Sequence, residues 1–320
     1  MELPRKIYIE DGAIKKVKEI QAGKILVIAD ETTYKIAGKD VLSFLKKREV
    51  EVRMISKDVD IKTDADFIIA VGGGKIIDIG KLVALQSGAE LIAIPTAPSH
   101  DGIFSPTITL PELGIYTKPA RPAYMVIADM NILRNAPSRL IRAGIGDALS
   151  KYTSVYDWRL AAKRGEEYSE PIADMAWNVF EHTAKNLERI LAGDIKPLIE
   201  SLFYSGLVMC IWGSSRPVSG SEHAFGHAAT QLGSSALHGE QVALGTLIMA
   251  YLQGQDWKRI KSLLDRAGLP ITAKGIGMQP KGVVEAVVRA KDIRQRWTIL
   301  NEIDINEKRA EKACRAVGVF

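Results

Sequence analysis

Cysteine is scarce in this chain. Cys210 and Cys314 are the two among 320 residues, too far apart for a CxxC pair and too few for a disulfide framework. Both are expected as small packed side chains in a reducing, cytoplasmic setting. Long apolar runs are also missing. None approaches the roughly 18 residues of a membrane span, and the first twelve residues carry charges where a signal peptide needs an apolar stretch. Charge of one sign does not dominate: 43 Lys and Arg against 38 Asp and Glu leave +5. No long basic run accompanies that excess, which argues against nucleic acid as a partner. Internal repeats and low-complexity tracts are absent. What remains is an ordinary globular composition, 47% hydrophobic and 25% charged. It excludes a disordered chain, a collagen and a coiled-coil rod. A chain of this length buries on the order of 75% of its unfolded surface and needs no covalent staples.

The first part of the chain alternates short apolar runs with helical patterns. KILVIA (24–29), residues 50–55, FIIAV (67–71), LIAI (91–94) and YMVIA (124–128) read as strands. Continuous apolar strands separated by helices predict a parallel sheet covered on both faces, an α/β architecture. After about residue 131 strand-like runs become rare. Helical patterns then fill 139–159, 171–191, 197–211, 240–253, 257–267, 280–291 and 307–317. The expected organisation is an α/β parallel-sheet domain over 1–134 and an all-α domain over 135–320.

The strand at 67–71 runs into Gly72-Gly73-Gly74-Lys75-Ile76-Ile77-Asp78. Strand, glycine cluster and helix together suit a pyrophosphate, because glycines admit close backbone approach and the helix end attracts an anion. The spacing is neither a P-loop nor a complete GxGxxG, so a tight βα turn stands as the plain alternative. Asp30 ends the first apolar run, placed either to bind a ribose hydroxyl or to cap a helix. Residues 95–106, PTAPSHDGIFSP, crowd Thr96, Ser99, Asp101 and Ser105 onto another strand end, where α/β sheets bind ligands.

Of five histidines, three fall within sixteen residues: His223, His227 and His238. The first two, at i and i+4, share a helical face. Two imidazoles and a carboxylate with one open position form a catalytic zinc arrangement, although HExxH is not present. Asp147, near the start of a helical pattern after Gly144-Ile145-Gly146, is equally well explained as a helix cap.

Taken together, VGGGKIIDIGK (71–81), IPTAPSHDGIFSP (94–106), GIGDALSKY (144–152), SGSEHAFGH (219–227), ALHGEQVALG (236–245) and RQRWTIL (294–300) resemble the sn-glycerol-1-phosphate dehydrogenases of archaea. Those enzymes fall within the superfamily of iron-containing alcohol dehydrogenases, glycerol dehydrogenases and dehydroquinate synthases. The resemblance implies a Rossmann-like dinucleotide-binding domain followed by a helical metal- and substrate-binding domain. It also implies NAD- or NADP-dependent conversion of dihydroxyacetone phosphate to sn-glycerol 1-phosphate for phospholipid synthesis, in a homo-oligomer. It makes Asp147, His223 and His238 the metal ligands, usually for zinc, and places Lys151 where iron-dependent relatives carry another histidine. Asp101, Asp147 and His227 become substrate-binding and catalytic residues. Asp30, Gly72, Gly73, Gly74, Lys75, Ile76, Asp78, Thr96, Ser99 and Ser105 become the cofactor-binding set. Charge and proximity to these motifs make Lys151, Arg142 and Arg216 candidates for the substrate phosphate. Glycerol dehydrogenase, a dehydroquinate-synthase-like lyase and a zinc-stabilised binding protein are the competing expectations.

Overall fold

The computed structural model describes residues 2–20, 23–46, 48–55 and 61–320. The chain forms two compact units, Met1–Ile141 with Gly193–Gly213, and Arg142–Ala192 with Ser214–Phe320.

The first unit is built on six parallel strands: β1 (Lys6–Glu10), β2 (Ile25–Ala29), β3 (Val50–Met54), β4 (Phe67–Gly72), β5 (Glu90–Pro95) and β8 (Met125–Asp129). Their order across the sheet is β3-β2-β4-β5-β8-β1. Strands β6 (Thr107–Leu110) and β7 (Ile115–Pro119) form a separate antiparallel hairpin. Every residue of β2 and β8 is buried, as are the last five of β4 and of β5. Both faces of the sheet are covered, so these strands read as unbroken apolar runs. On one face Val27, Val71, Ile94 and Ile127 pack with Ile14, Val17, Ala37 and Val41 from the segments after β1 and β2. On the other lies helix Gly74–Ser87. A Cβ added to its Gly80 would stand 2.6 Å from Ala70 Cβ, so the helix rests directly on β4.

Besides the hairpin, two elements of this unit go beyond the sequence expectation. Strand β1, KIYIE, pairs with β8 at the sheet edge through Ile7↔Val126 and Ile9↔Ala128. Its half-exposed position accommodates the charges that hide it in an apolar scan. Helix Lys196–Trp212, from the helix-rich part of the sequence, belongs to this first unit. Its Gly206 lies against Phe104, where a Cβ would come 2.7 Å from the Phe104 Cβ, and Phe203 meets the Phe104 ring edge-on at 5.6 Å.

The chain leaves β2 toward β3 on one side and returns to β4 on the other. The carboxyl ends of β2 and β4 therefore flank the switch point of the sheet, the position at which open α/β sheets hold their ligands. Asp30 follows β2, and Gly72-Gly73-Gly74 follows β4.

The second unit is helical. The pattern over 139–159 divides at Ser150 into Ser138–Leu149 and Lys151–Ala162. That over 171–191 divides at Asn186 into Glu170–Lys185 and Leu187–Leu191. Helices Ser221–Gln231 and His238–Leu252 pack together, followed by Trp257–Arg266, Pro280–Arg289 and Glu307–Val317. Among the described residues no helix is long and apolar enough to cross a membrane.

Candidate active site

In the first unit, helix Gly74–Ser87 begins at the switch point with Gly73 as its N-cap. Gly73 has φ −74° and ψ −175°, a conformation open to any residue, and a Cβ there would meet no atom within 4 Å. The fold itself does not demand glycine at this position. The open space there adjoins the start of the helix, whose first N–H groups have no partner within the helix. Gly74 differs, since its Cβ would stand 2.0 Å from the His100 ring.

The cofactor candidates divide by environment. Asp30 caps helix Glu31–Thr33, its carboxylate accepting from the Thr33 N–H at 2.7 Å. Lys75 is exposed and paired with Glu112. Ile76 and Thr96 are buried and Ser99 half-buried. Asp78 points inward. One of its oxygens accepts from Lys81 Nζ at 2.8 Å and the other from the Thr109 N–H at 2.8 Å. Lys81 also donates to the Gly102 carbonyl at 2.6 Å and the Thr107 carbonyl at 2.9 Å, and its Nζ stands 3.5 Å from Ser105 Oγ. One buried ammonium thus ties the 95–106 loop and the hairpin to helix Gly74–Ser87. Asp101, on that loop, accepts from Ser205 Oγ at 2.6 Å.

In the second unit Asp147, His223 and His238 each offer a ligand atom, and all three atoms lie within 4.8 Å of one another. Asp147 comes from helix Ser138–Leu149, His223 from Ser221–Gln231, and His238 opens His238–Leu252. The helices carrying Asp147 and His238 meet at glycines. A Cβ on Gly146 would stand 2.4 Å from the Gly239 carbonyl oxygen, and one on Gly239 1.9 Å from that of Ala143.

The surroundings prepare these groups. His223 Nδ1 lies 2.8 Å from Glu222 Oε1. An ionised carboxylate only accepts, so Nδ1 carries the proton and Nε2, 3.3 Å from Asp147 Oδ1, keeps its lone pair for a metal. Burial alone would push the Asp147 carboxyl up. The Lys151 ammonium and the His223 hydrogen bond outweigh it and hold the group well below the usual range. Lys151, fully buried, donates to the Asp147 carbonyl at 2.9 Å and stands 3.4 Å from Oδ1. Burial likewise opposes ionisation of Glu222, but His223 holds its pKa down. The same two carboxylates raise the pKa of His223 against the opposing effect of burial. One carboxylate and two imidazoles at this separation fit a divalent transition metal.

His227 stacks 5.7 Å from the His238 ring, centroid to centroid, and its Nε2 accepts from Arg294 Nη2 at 2.5 Å. Burial and then Arg294 push its pKa well down. A guanidinium can only donate, so His227 is a neutral imidazole with its proton on Nδ1.

The phosphate candidates from sequence fare differently. Lys151 is committed to Asp147, and Arg142 is exposed. Arg216 is engaged by Glu166 and by the Asp157 and Trp297 carbonyls. Arg294 and Arg296, absent from the expected site residues, stand beside His227 and the 215–220 loop. Their only sequence signal is an R-x-R pair in the segment 294–300.

Comparison with known proteins gives a consistent picture. A family profile described as iron-containing alcohol dehydrogenase matches residues 8–137. Glycerol-1-phosphate dehydrogenase [NAD(P)+] of Sulfurisphaera tokodaii is 40% identical, covering 100% of this chain and 98% of its own. The enzyme of the same name from Pyrococcus furiosus is 38% identical over 100% and 99%. Among solved structures, glycerol dehydrogenase from Schizosaccharomyces pombe superimposes with a TM-score of 0.81 at 22% identity, covering 99% of this chain and 90% of that one. Its fold is shared. Identity of about 40% along the full length places the chain in the family of NAD(P)-dependent glycerol-1-phosphate dehydrogenases.

Proposed function

We propose that the chain interconverts dihydroxyacetone phosphate and sn-glycerol 1-phosphate with NAD(P)H or NAD(P)+, using zinc at Asp147, His223 and His238. The observation that carries this reading is the convergence of those three ligand atoms within 4.8 Å in a chain whose relatives bear that enzyme's name. Three protein ligands, with Lys151 rather than a third imidazole in the place of a fourth ligand, favour zinc over iron. A bound zinc ion supplies Lewis acidity where negative charge develops on the substrate oxygen.

The chain's own residues do the rest. Lys151 keeps Asp147 ionised, so the carboxylate is ready to ligate at neutral pH. Glu222 fixes the His223 tautomer that presents Nε2. Arg294, donating to Nε2, keeps His227 neutral with its proton on Nδ1, so the ring serves substrate as a hydrogen-bonding group rather than as a cationic acid. Asp101, held by Ser205 Oγ, is a carboxylate of the kind that accepts from a substrate hydroxyl. The N-terminus of helix Gly74–Ser87, with the room at Gly73, takes the cofactor pyrophosphate, and the hydride chemistry is the dinucleotide's.

The test is the fall in reduced-nicotinamide absorbance when dihydroxyacetone phosphate is added. Chelation should abolish it and zinc should restore it. Full activity in demonstrably metal-free protein would remove the metal from the reaction. A better rate with unphosphorylated dihydroxyacetone would instead favour the glycerol dehydrogenase reading.

A further inference from the structure

A phosphorylated three-carbon substrate brings close to two negative charges near neutral pH, and the second unit holds a matching concentration of positive charge. Arg294 is hydrogen-bonded to His227, whose ring packs on that of the candidate ligand His238. The guanidinium therefore sits one side chain away from the triad. Arg296 follows two residues later and is laced to the same loop. It donates to the Ser219 carbonyl at 3.1 Å and Ser215 Oγ at 3.0 Å, while Arg294 donates to Ser219 Oγ at 2.7 Å.

The oxygens that Arg296 meets are neutral. The nearby carboxylates are otherwise engaged: Glu166 by Arg216, and Glu222 by His223, the Gly220 N–H and Thr153. Burial lowers the pKa of Arg294 to about 10. Burial together with repulsion from Arg294 and Arg216 lowers that of Arg296 to about 9. Gathering the guanidinium groups of Arg216, Arg294 and Arg296, buried or partly buried, is costly without an anion. Arg296 uses two of its five N–H groups on the described residues, which leaves part of its planar fork for oxyanion contacts.

We propose that Arg296, seconded by Arg294 and framed by Ser215 and Ser219, is the phosphate-binding pocket of this chain and the source of its preference for a phosphorylated over an unphosphorylated ketose. This rests on the function proposed above for its physiological meaning. The pocket itself can be tested separately.

Inorganic phosphate is the probe. In the zinc-loaded enzyme it should compete with dihydroxyacetone phosphate. Arg296→Met should raise both the phosphate inhibition constant and the KM for dihydroxyacetone phosphate by about 10- to 100-fold, the range for losing charged hydrogen bonds. The loss should appear in KM rather than kcat, with zinc content unchanged, and Arg296→Lys should recover part of it. A merely structural role would shift thermal stability without selectively weakening phosphate. Constants within twofold of wild type in Arg296→Met would overturn the proposal. If that variant does not fold, the same criterion applies to Arg296→Lys and Arg294→Lys, which keep the charge but lose the fork and should weaken phosphate several-fold. If the wild-type chain turns over no dihydroxyacetone phosphate, the functional reading fails. Calorimetric titration of inorganic phosphate into wild type and variant then still decides the pocket: binding lost with the arginine upholds it, and equal or absent binding in both refutes it.

Discussion

Replacing Glu222 by glutamine tests whether the proposed metal site is organised from behind its ligands. In the native chain Glu222 Oε1 accepts from His223 Nδ1 at 2.8 Å and from the Gly220 N–H at 2.7 Å, while Oε2 accepts from Thr153 Oγ1 at 3.0 Å. Glutamine keeps this shape. Its single oxygen can remain toward His223 and Gly220, and its amide can turn toward Thr153, whose hydroxyl rotates to accept. What is lost is chiefly the charge behind the His223 hydrogen bond, and charge-assisted bonds are roughly twice as strong as neutral ones. Removing a partner behind a metal ligand costs about 10- to 100-fold in affinity. The glutamine variant belongs near tenfold, about 1.4 kcal/mol. Glu222→Ala leaves the His223 and Gly220 donors buried without their acceptor and belongs nearer a hundredfold. Competition for zinc with a chromophoric chelator at pH 7 measures both, with circular dichroism to verify folding. A glutamine variant that holds zinc within twofold of wild type would refute the argument that Glu222 sets the ligand's orientation and basicity.

Gly73→Ala should leave stability nearly unchanged, because the gain from a stiffer unfolded chain, about 0.4–1 kcal/mol, offsets a poorer N-cap. The KM for NAD(P)H should rise about tenfold or more as the methyl fills the phosphate's room; an unchanged KM would move the pyrophosphate elsewhere. Lys81→Met strands the Asp78 carboxylate in the interior and should cost about 3–5 kcal/mol in denaturant unfolding; a loss below 1 kcal/mol would show that the ammonium is not the tie it looks to be. Asp157, pushed to about 6 by burial and Glu222, binds its proton more tightly folded than unfolded, so it makes stability fall as pH rises from about 4 to 6. His223, also raised, supports the fold below its unfolded value near 6.5 and withdraws that support as pH rises through its higher folded value. His227, depressed in the fold, has the opposite sign below about 6.5, so the comparison belongs above it: zinc-stripped protein should melt lower at pH 8 than at pH 7, whereas zinc should stabilise it more at pH 8, since metal competes with protons for the imidazoles. Melting curves at the two pH values, with and without zinc, check both signs.

The interior strands β2, β4, β5 and β8 were legible because burial on both faces leaves no polar alternation. The edge strand β1 was not, because Lys6 and Glu10 share it with three partly buried apolar residues. The hairpin β6–β7, only four and five residues long, lacked any comparable run. The spacing of His223 and His227 signalled one helical face. Asp147 carries no such signal, since a residue 76 positions earlier joins the cluster only through the crossing of its helix with another. Lys81 looks like one more solvated helix lysine until the fold closes the loop and hairpin over it. Arg294 and Arg296 were likewise silent, because the loop at 215–220 that gives them meaning is some 75 residues away.

Because Gly146 and Gly239 bring two helix backbones into direct contact beside Asp147 and His238, the gap those side chains span is set by main-chain atoms already touching. The helices cannot close further to suit a shorter ligand. Parting them to admit a longer one would open a void along the seam. Adaptation of this centre to another ion must therefore come from exchanging the chemical identity of its donors, in a frame whose dimensions do not yield.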